Sequence, residues 1–75
     1  MTLMNPLKPR KLLGVVKKLG FHLIHVRGSH YIFKNLKGKR IAIPVHKGKL
    51  IGQGLLVKII KEDLNLSVEE FEKLL

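Results

Sequence analysis

The chain contains no cysteine, which excludes a disulfide framework and a thiolate zinc site and fits a reducing, cytoplasmic setting. It also has no acidic residue before position 62, since Glu62, Asp63, Glu69, Glu70 and Glu72 are the only five. A carboxylate-held metal in residues 1–61 is therefore not expected. Long apolar runs are missing as well. A Lys, Arg, Gly or His interrupts each one before the roughly 18 residues that a membrane span needs. Met1 to Arg10 has no apolar leader core, so neither a signal peptide nor a membrane partner is expected. With 75 residues there is room for one small domain, residues 1–75, and none for a two-domain enzyme.

What the chain does have is positive charge, unevenly placed. Of its 15 Lys and Arg residues only Lys73 lies beyond position 61, so residues 1–61 carry +14 and residues 62–75 carry −4, a net +10. A positive field over most of a small domain attracts polyanions, and phosphate neutralisation by Lys and Arg is the usual source of nucleic-acid affinity. Plain solubility charge is the ordinary alternative. The 45% hydrophobic content separates the chain from a disordered basic tail and predicts a packed core. So short a chain nevertheless buries only about 60% of its unfolded surface.

Periodicity orders the elements. From Lys8 to Leu19, Leu12, Leu13, Val16 and Leu19 recur at helical spacing, with Pro9 suited to the first turn and Gly20 to the stop. Phe21 to Arg27 and His30 to Asn35, divided by Gly28-Ser29, read as a β-hairpin. Lys37-Gly38-Lys39 leads to a third strand, Ile41 to Val45, in which Pro44 suits an edge or an end. Ile51, Leu55, Leu56, Ile59, Ile60 and Leu64 predict a second helix, with Lys58, Lys61 and Glu62 on its polar side. Ser67 and Glu70 have capping-box spacing ahead of a short third helix. The order α-β-β-β-α-α predicts a two-layer α+β domain with a three-stranded antiparallel sheet.

A two-residue Gly28-Ser29 loop sets a register: Arg27 opposite His30, Val26 opposite Tyr31, His25 opposite Ile32 and Ile24 opposite Phe33. Alternation then puts Ile24, Val26, Tyr31 and Phe33 on the core face. His25, Arg27 and His30 fall on an open face with Leu23 and Ile32. A two-residue Lys37-Gly38 loop would aim Ile41 and Ile43 away from the core, whereas one bulged residue would return them to it, and burial favours the bulge. In that register His46 falls near His30 on the open face. His22 and His25, three apart on a strand, face opposite ways and cannot share a metal, and His22 is placed at the core border.

His30 is the leading candidate for chemistry. Gly28 lets the backbone turn or approach a ligand, Ser29 offers a hydroxyl and an N–H, and the imidazole follows where it is held but accessible. Such a group can move protons when a ribose 2′-hydroxyl attacks its neighbouring phosphate, while Lys and Arg stabilise the developing charge. His25, Arg27, Lys34, Arg40 and Lys47 are the candidate phosphate contacts. A functionless turn histidine is the ordinary alternative for a Gly-Ser-His triplet on its own.

The succession Lys17-Lys18-Leu19-Gly20-Phe21, Arg27-Gly28-Ser29-His30, Ile43-Pro44-Val45-His46 and Gly52-Gln53-Gly54-Leu55-Leu56 with Ile59 and Ile60 resembles the HicA family of toxin mRNA interferases, over about Lys8 to Leu75. The resemblance implies a fold similar to a double-stranded-RNA-binding domain, metal-independent and cofactor-free ribonuclease activity on mRNA, and neutralisation by a HicB antitoxin. It gives the catalytic role to His30, with Gly28 and Ser29 in the same motif. His46 matches a second family histidine, a candidate second acid–base or positioning group, or a residue that orders its loop. His25 stands where many members have Arg, and Leu55 where many have Thr. The rival readings are a non-catalytic RNA-binding module and, more weakly, a helix-turn-helix. The second helix is apolar over too much of its circumference for the latter.

Overall fold

The computed structural model describes residues 5–75. The first four, part of the stretch read as lacking an apolar leader, lie outside it. Helix α1 is Pro9–Lys18. Pro9 occupies the first turn, where its missing N–H costs nothing, and Leu12, Val15 and Val16 point into the core. The helix ends where Gly20 takes φ 91°. The Gly20 N–H then bonds Lys17 O at 3.0 Å and the Phe21 N–H bonds Val16 O at 3.2 Å, the paired closure of a Schellman motif.

Strands β1 (His22–Arg27), β2 (His30–Lys34) and β3 (Arg40–Pro44) follow. They form one antiparallel sheet in the order β1-β2-β3. Helix α2 (Gln53–Lys58) runs into a π-helical turn, Ile59–Asp63, and α3 is Val68–Glu72. The α+β order expected from periodicity is the order observed.

The core lies between the helices and one side of β2 and β3. Phe33, Ile41 and Ile43 are buried there against Leu12, Val16, Leu56, Ile59, Ile60 and Phe71. Pairing of Phe33 with Ile41 and of Tyr31 with Ile43 puts the β3 isoleucines on the core side. The bulged loop expected between β2 and β3 explains why. The Gly38 N–H bonds Asn35 O at 3.0 Å and Gly38 sits at φ 85°, so Leu36-Lys37-Gly38 forms the loop with the left-handed glycine of a G1 bulge. Asn35 Oδ1 braces it by accepting from the Lys37 and Lys39 N–H groups at 3.0 and 2.9 Å.

Strand β1 departs from the expected register. Arg27–His30, Val26–Tyr31 and His25–Ile32 pair as anticipated, but the register shifts at Ile24 and Phe33 meets Leu23 instead. Ile24 and Val26, expected in the core, are each 47% exposed. The buried cluster takes no residue from β1, which is an edge strand of the sheet. Leu23, expected on the open face, pairs on the helix-facing side of the sheet.

The second helix also differs from its simple period. The Leu64 N–H reaches Ile59 O at 2.9 Å and the Leu66 N–H reaches Ile60 O at 2.9 Å, wider closures than an α-helix makes, with Asn65 in the left-handed region at φ 56°. The widened turn keeps both Ile59 and Ile60 buried.

Two ties hold the periphery. Leu7 and Ile51 exchange backbone bonds of 3.1 and 2.7 Å, pinning the entry to α1 against the entry to α2. Lys18 Nζ donates to Leu74 O at 2.8 Å. At α3 both halves of the capping box are made: Ser67 Oγ accepts from the Glu70 N–H at 3.1 Å, and Glu70 Oε1 accepts from the Ser67 N–H at 3.0 Å. The Ser67 backbone and side-chain hydrogen bonds hold the Glu70 carboxyl below the usual carboxylate range. A depressed carboxylate contributes stability above its unfolded value and loses it as the pH falls through the folded one. Ser67→Ala removes the N-cap acceptor of the Glu70 N–H and is expected to cost about 0.5–2 kcal/mol in urea unfolding at neutral pH. The Ser67 N–H still reaches Glu70 in that variant, so the carboxylate is tested by Glu70→Gln, whose deficit is expected to shrink on acidification; a deficit independent of pH would exclude the carboxylate's part.

Candidate functional site

The Gly28-Ser29 loop places His30 first on β2, paired with Arg27 across the hairpin. Gly28 takes φ 60° while Ser29 keeps a negative φ, the pattern of a II′ turn with glycine first. Any L-residue at that position would be strained. On the other side, the Val45 N–H bonds Ser29 O at 2.7 Å. The turn is thus held between two strands, and the His30 side chain that it presents is exposed.

Register defines the open face in three cross-strand rows: Arg27, His30 and Pro44; His25, Ile32 and Ala42; His22, Lys34 and Arg40. The face thus gathers Arg27, Lys34, Arg40, His25 and His30. The bulge at Ile24 adds His22, because His22 pairs with Lys34 and His25 with Ile32, two positions apart on β2. The expectation that His22 and His25 point to opposite faces, with His22 at the core border, is overturned by that one extra residue. His22 is exposed beside the cations. No sequence signal marks the bulge, since Leu-Ile in a strand reads as unbroken alternation.

No acid lies on this face. All five belong to the π-helical turn and α3, in the helical layer on the far side of the core. Among the described residues, no group of three His, Asp or Glu side chains could hold a metal ion. Directly opposite pairs in a sheet keep Cβ atoms about 4.5–5.5 Å apart. The guanidinium of Arg27 is therefore in reach of an anion that contacts His30.

His46 and Lys47 lie outside the strands, His46 one residue past the Val45 that is bonded to Ser29 O. β3 ends at Pro44, and both residues lie in the exposed loop beyond it. His46 lines two adjoining clefts. One, of about 210 Å³, also touches Pro44, the register partner of His30, and Leu55. The other, of about 350 Å³, includes Lys47 and, across from it, Lys8 and Arg10. Lys8, Arg10 and Lys49 were not singled out by the sequence. Their convergence depends on the Leu7–Ile51 bridge, which joins positions far apart in the chain.

No helix among the described residues is long and apolar enough to cross a membrane. No curated protein matches the chain. Residues 9–63, from the first residue of α1 to the end of the π-helical turn, match the model of a family described as the HicA toxin of bacterial toxin-antitoxin.

Proposed function

The chain belongs to the HicA toxin family of bacterial toxin-antitoxin systems, and from that premise we propose that it is a metal-independent endoribonuclease that cuts mRNA in the cytoplasm with His30 as its acid–base group. The observation that carries this reading is the exposed imidazole at a rigid turn, paired with Arg27 on a face that has cations and no acid.

In the reaction, the ribose 2′-oxygen attacks the adjacent phosphorus. The O2′–P bond forms, the P–O5′ bond breaks, the 2′-hydroxyl proton leaves and the departing O5′ gains a proton. One imidazole can serve one of those transfers directly. His46 is the candidate for the other, or for positioning the RNA. Arg27 would stabilise the added charge on the phosphoryl oxygens, where a preorganised donor is worth most. His25, Lys34, Arg40 and Lys47 would hold neighbouring phosphates. Such contacts read backbone rather than bases, so low sequence specificity is expected.

An antitoxin partner belongs to a toxin of this kind, and we infer a HicB-like protein with an acidic surface that covers the positive face and His30 together. A complex that leaves His30 open to solvent would exclude direct occlusion. The activity itself is tested by incubating the purified chain with mRNA in EDTA. Cleavage is expected to persist under chelation and to fail on RNA carrying 2′-deoxyribose at the cut position. Binding without cleavage would assign the face to a non-catalytic RNA module instead.

A further inference from the structure

The cleft of about 350 Å³ between the start of α1 and the loop after β3 is lined in part by His46 but not by His30, and the acid–base reading gives most of its lining no part. Its rim is cationic, with Lys8 and Arg10 on the α1 side, Lys47 and Lys49 on the loop side, and no acid among the lining residues. Its floor is apolar, made by Leu13, Val45 and Leu50. Leu50 is 56% exposed. Hydrocarbon open to water inside a ring of cations suits a ligand with an apolar body and a negative charge, because each part then meets its complement.

The position of the cleft favours one ligand. Pro9, His46, Lys49 and Leu50 line both this cleft and the smaller one, so the two adjoin. The smaller one reaches Pro44, which lies directly across from His30. The bond from the Val45 N–H to Ser29 O fixes the loop to the turn that carries His30. The larger cleft is thus placed beside the hairpin turn that carries His30. That volume is at the low end of the roughly 300–1,000 Å³ typical of small-ligand sites, enough for a base and not for a duplex.

We propose that this cleft is a subsite for one nucleotide of single-stranded RNA flanking the bond held at His30, its base on the Leu13–Val45–Leu50 floor and its phosphate among the rim cations. The assignment of the cut bond to His30 rests on the ribonuclease reading; binding in the cleft does not require cleavage. RNA supplies a flat ring and a charge within each repeating unit. An acidic peptide would need separate side chains spaced to match both.

The test is equilibrium binding of a fluorescein-labelled 2′-O-methyl oligouridylate of about six nucleotides, within the span of small single-strand sites. This probe cannot undergo attack by a 2′-hydroxyl. Wild type is compared with Leu50→Glu and with Leu36→Glu, which makes the same charge change at a 97% exposed loop residue outside the cleft. Circular dichroism checks that both variants are folded. Leu50→Glu is expected to weaken binding by about tenfold or more, because its carboxylate meets both base and phosphate. Leu36→Glu is expected to change it by less than about threefold, through screened long-range charge alone.

Equal weakening by the two variants would overturn the subsite, as would failure of the wild type to bind the probe. Binding of a polyglutamate peptide that depends on Leu50, with none of the RNA, would give the cleft to a protein partner and also overturn it. A selective Leu50→Glu loss in a protein that cuts no unmodified RNA would sustain the subsite and sink the nuclease reading. Cleavage of unmodified RNA without selective loss would do the reverse.

Discussion

His30→Ala is expected to lower RNA cleavage by about 10²- to 10⁴-fold, the usual worth of one general acid–base group. The protein should otherwise remain as it was. His30 is exposed and lies outside the buried cluster, and surface substitutions of that kind change stability by about 0.5 kcal/mol or less. Its backbone pairing with Arg27 and Pro44 does not need the imidazole. Binding should persist too, since Arg27, Lys34 and Arg40 share the same face and remain. The mutant should keep most of its affinity and the steep salt dependence that phosphate contacts give. Cleavage in EDTA, circular dichroism and binding at two salt concentrations, measured on one preparation, separate the outcomes. Equal cleavage by wild type and mutant would move the chemistry to another residue. Joint loss of cleavage and binding would make His30 a phosphate contact rather than the acid–base group.

The parts of this site visible in the sequence are those fixed by local rules. Gly28-Ser29 between two strand-like runs specifies a two-residue turn, and the turn specifies which residues meet across it. Arg27, His25 and His30 were therefore legible as one face before any coordinates. Gly20, Ser67 and Glu70 were legible as helix ends because their bonding partners lie within a few residues. The Gly38 bulge was legible only through burial, since the alternative would have left Ile41 and Ile43 in water. Where burial gave no guidance, the reading failed. Leu23, Ile24 and Val26 are all apolar and all half-exposed on an edge strand. Either register would have looked acceptable, and the shift at Ile24 that carries His22 to the open face left no trace. The π-helical turn was hidden for a related reason. Ile59, Ile60 and Leu64 satisfy an α-helical period, and only tertiary packing chooses the wider closure. The cationic cleft was hidden by distance, because Lys8 and Lys49 come together only once Leu7 meets Ile51.

Phe33→Ala is expected to remove most of the folding stability. Phe33 is fully buried on the central strand. Its ring lies on the core side, paired with Ile41 on β3 and Leu23 on β1, so its loss opens a cavity where sheet and helices meet. Truncating a buried Phe to Ala costs about 3–5 kcal/mol. A chain of 75 residues has a total stability of about 4–11 kcal/mol, from roughly 0.05–0.15 kcal/mol per residue. The loss is thus comparable with the whole, and no disulfide is present to limit it. Val26→Ala, on a strand outside the core, should cost less than about 1 kcal/mol. Phe33→Leu, which keeps apolar volume, should fall between them. Urea unfolding followed by circular dichroism measures all three. The consequence for the site is indirect but testable. Phe33 points away from the open face, so any cleavage lost in Phe33→Ala should track the unfolded fraction and return when a stabilising osmolyte restores the fold. In His30→Ala the same osmolyte should restore nothing. A Phe33→Ala protein as stable as Val26→Ala would mean that the helices and sheet do not share one cooperative core.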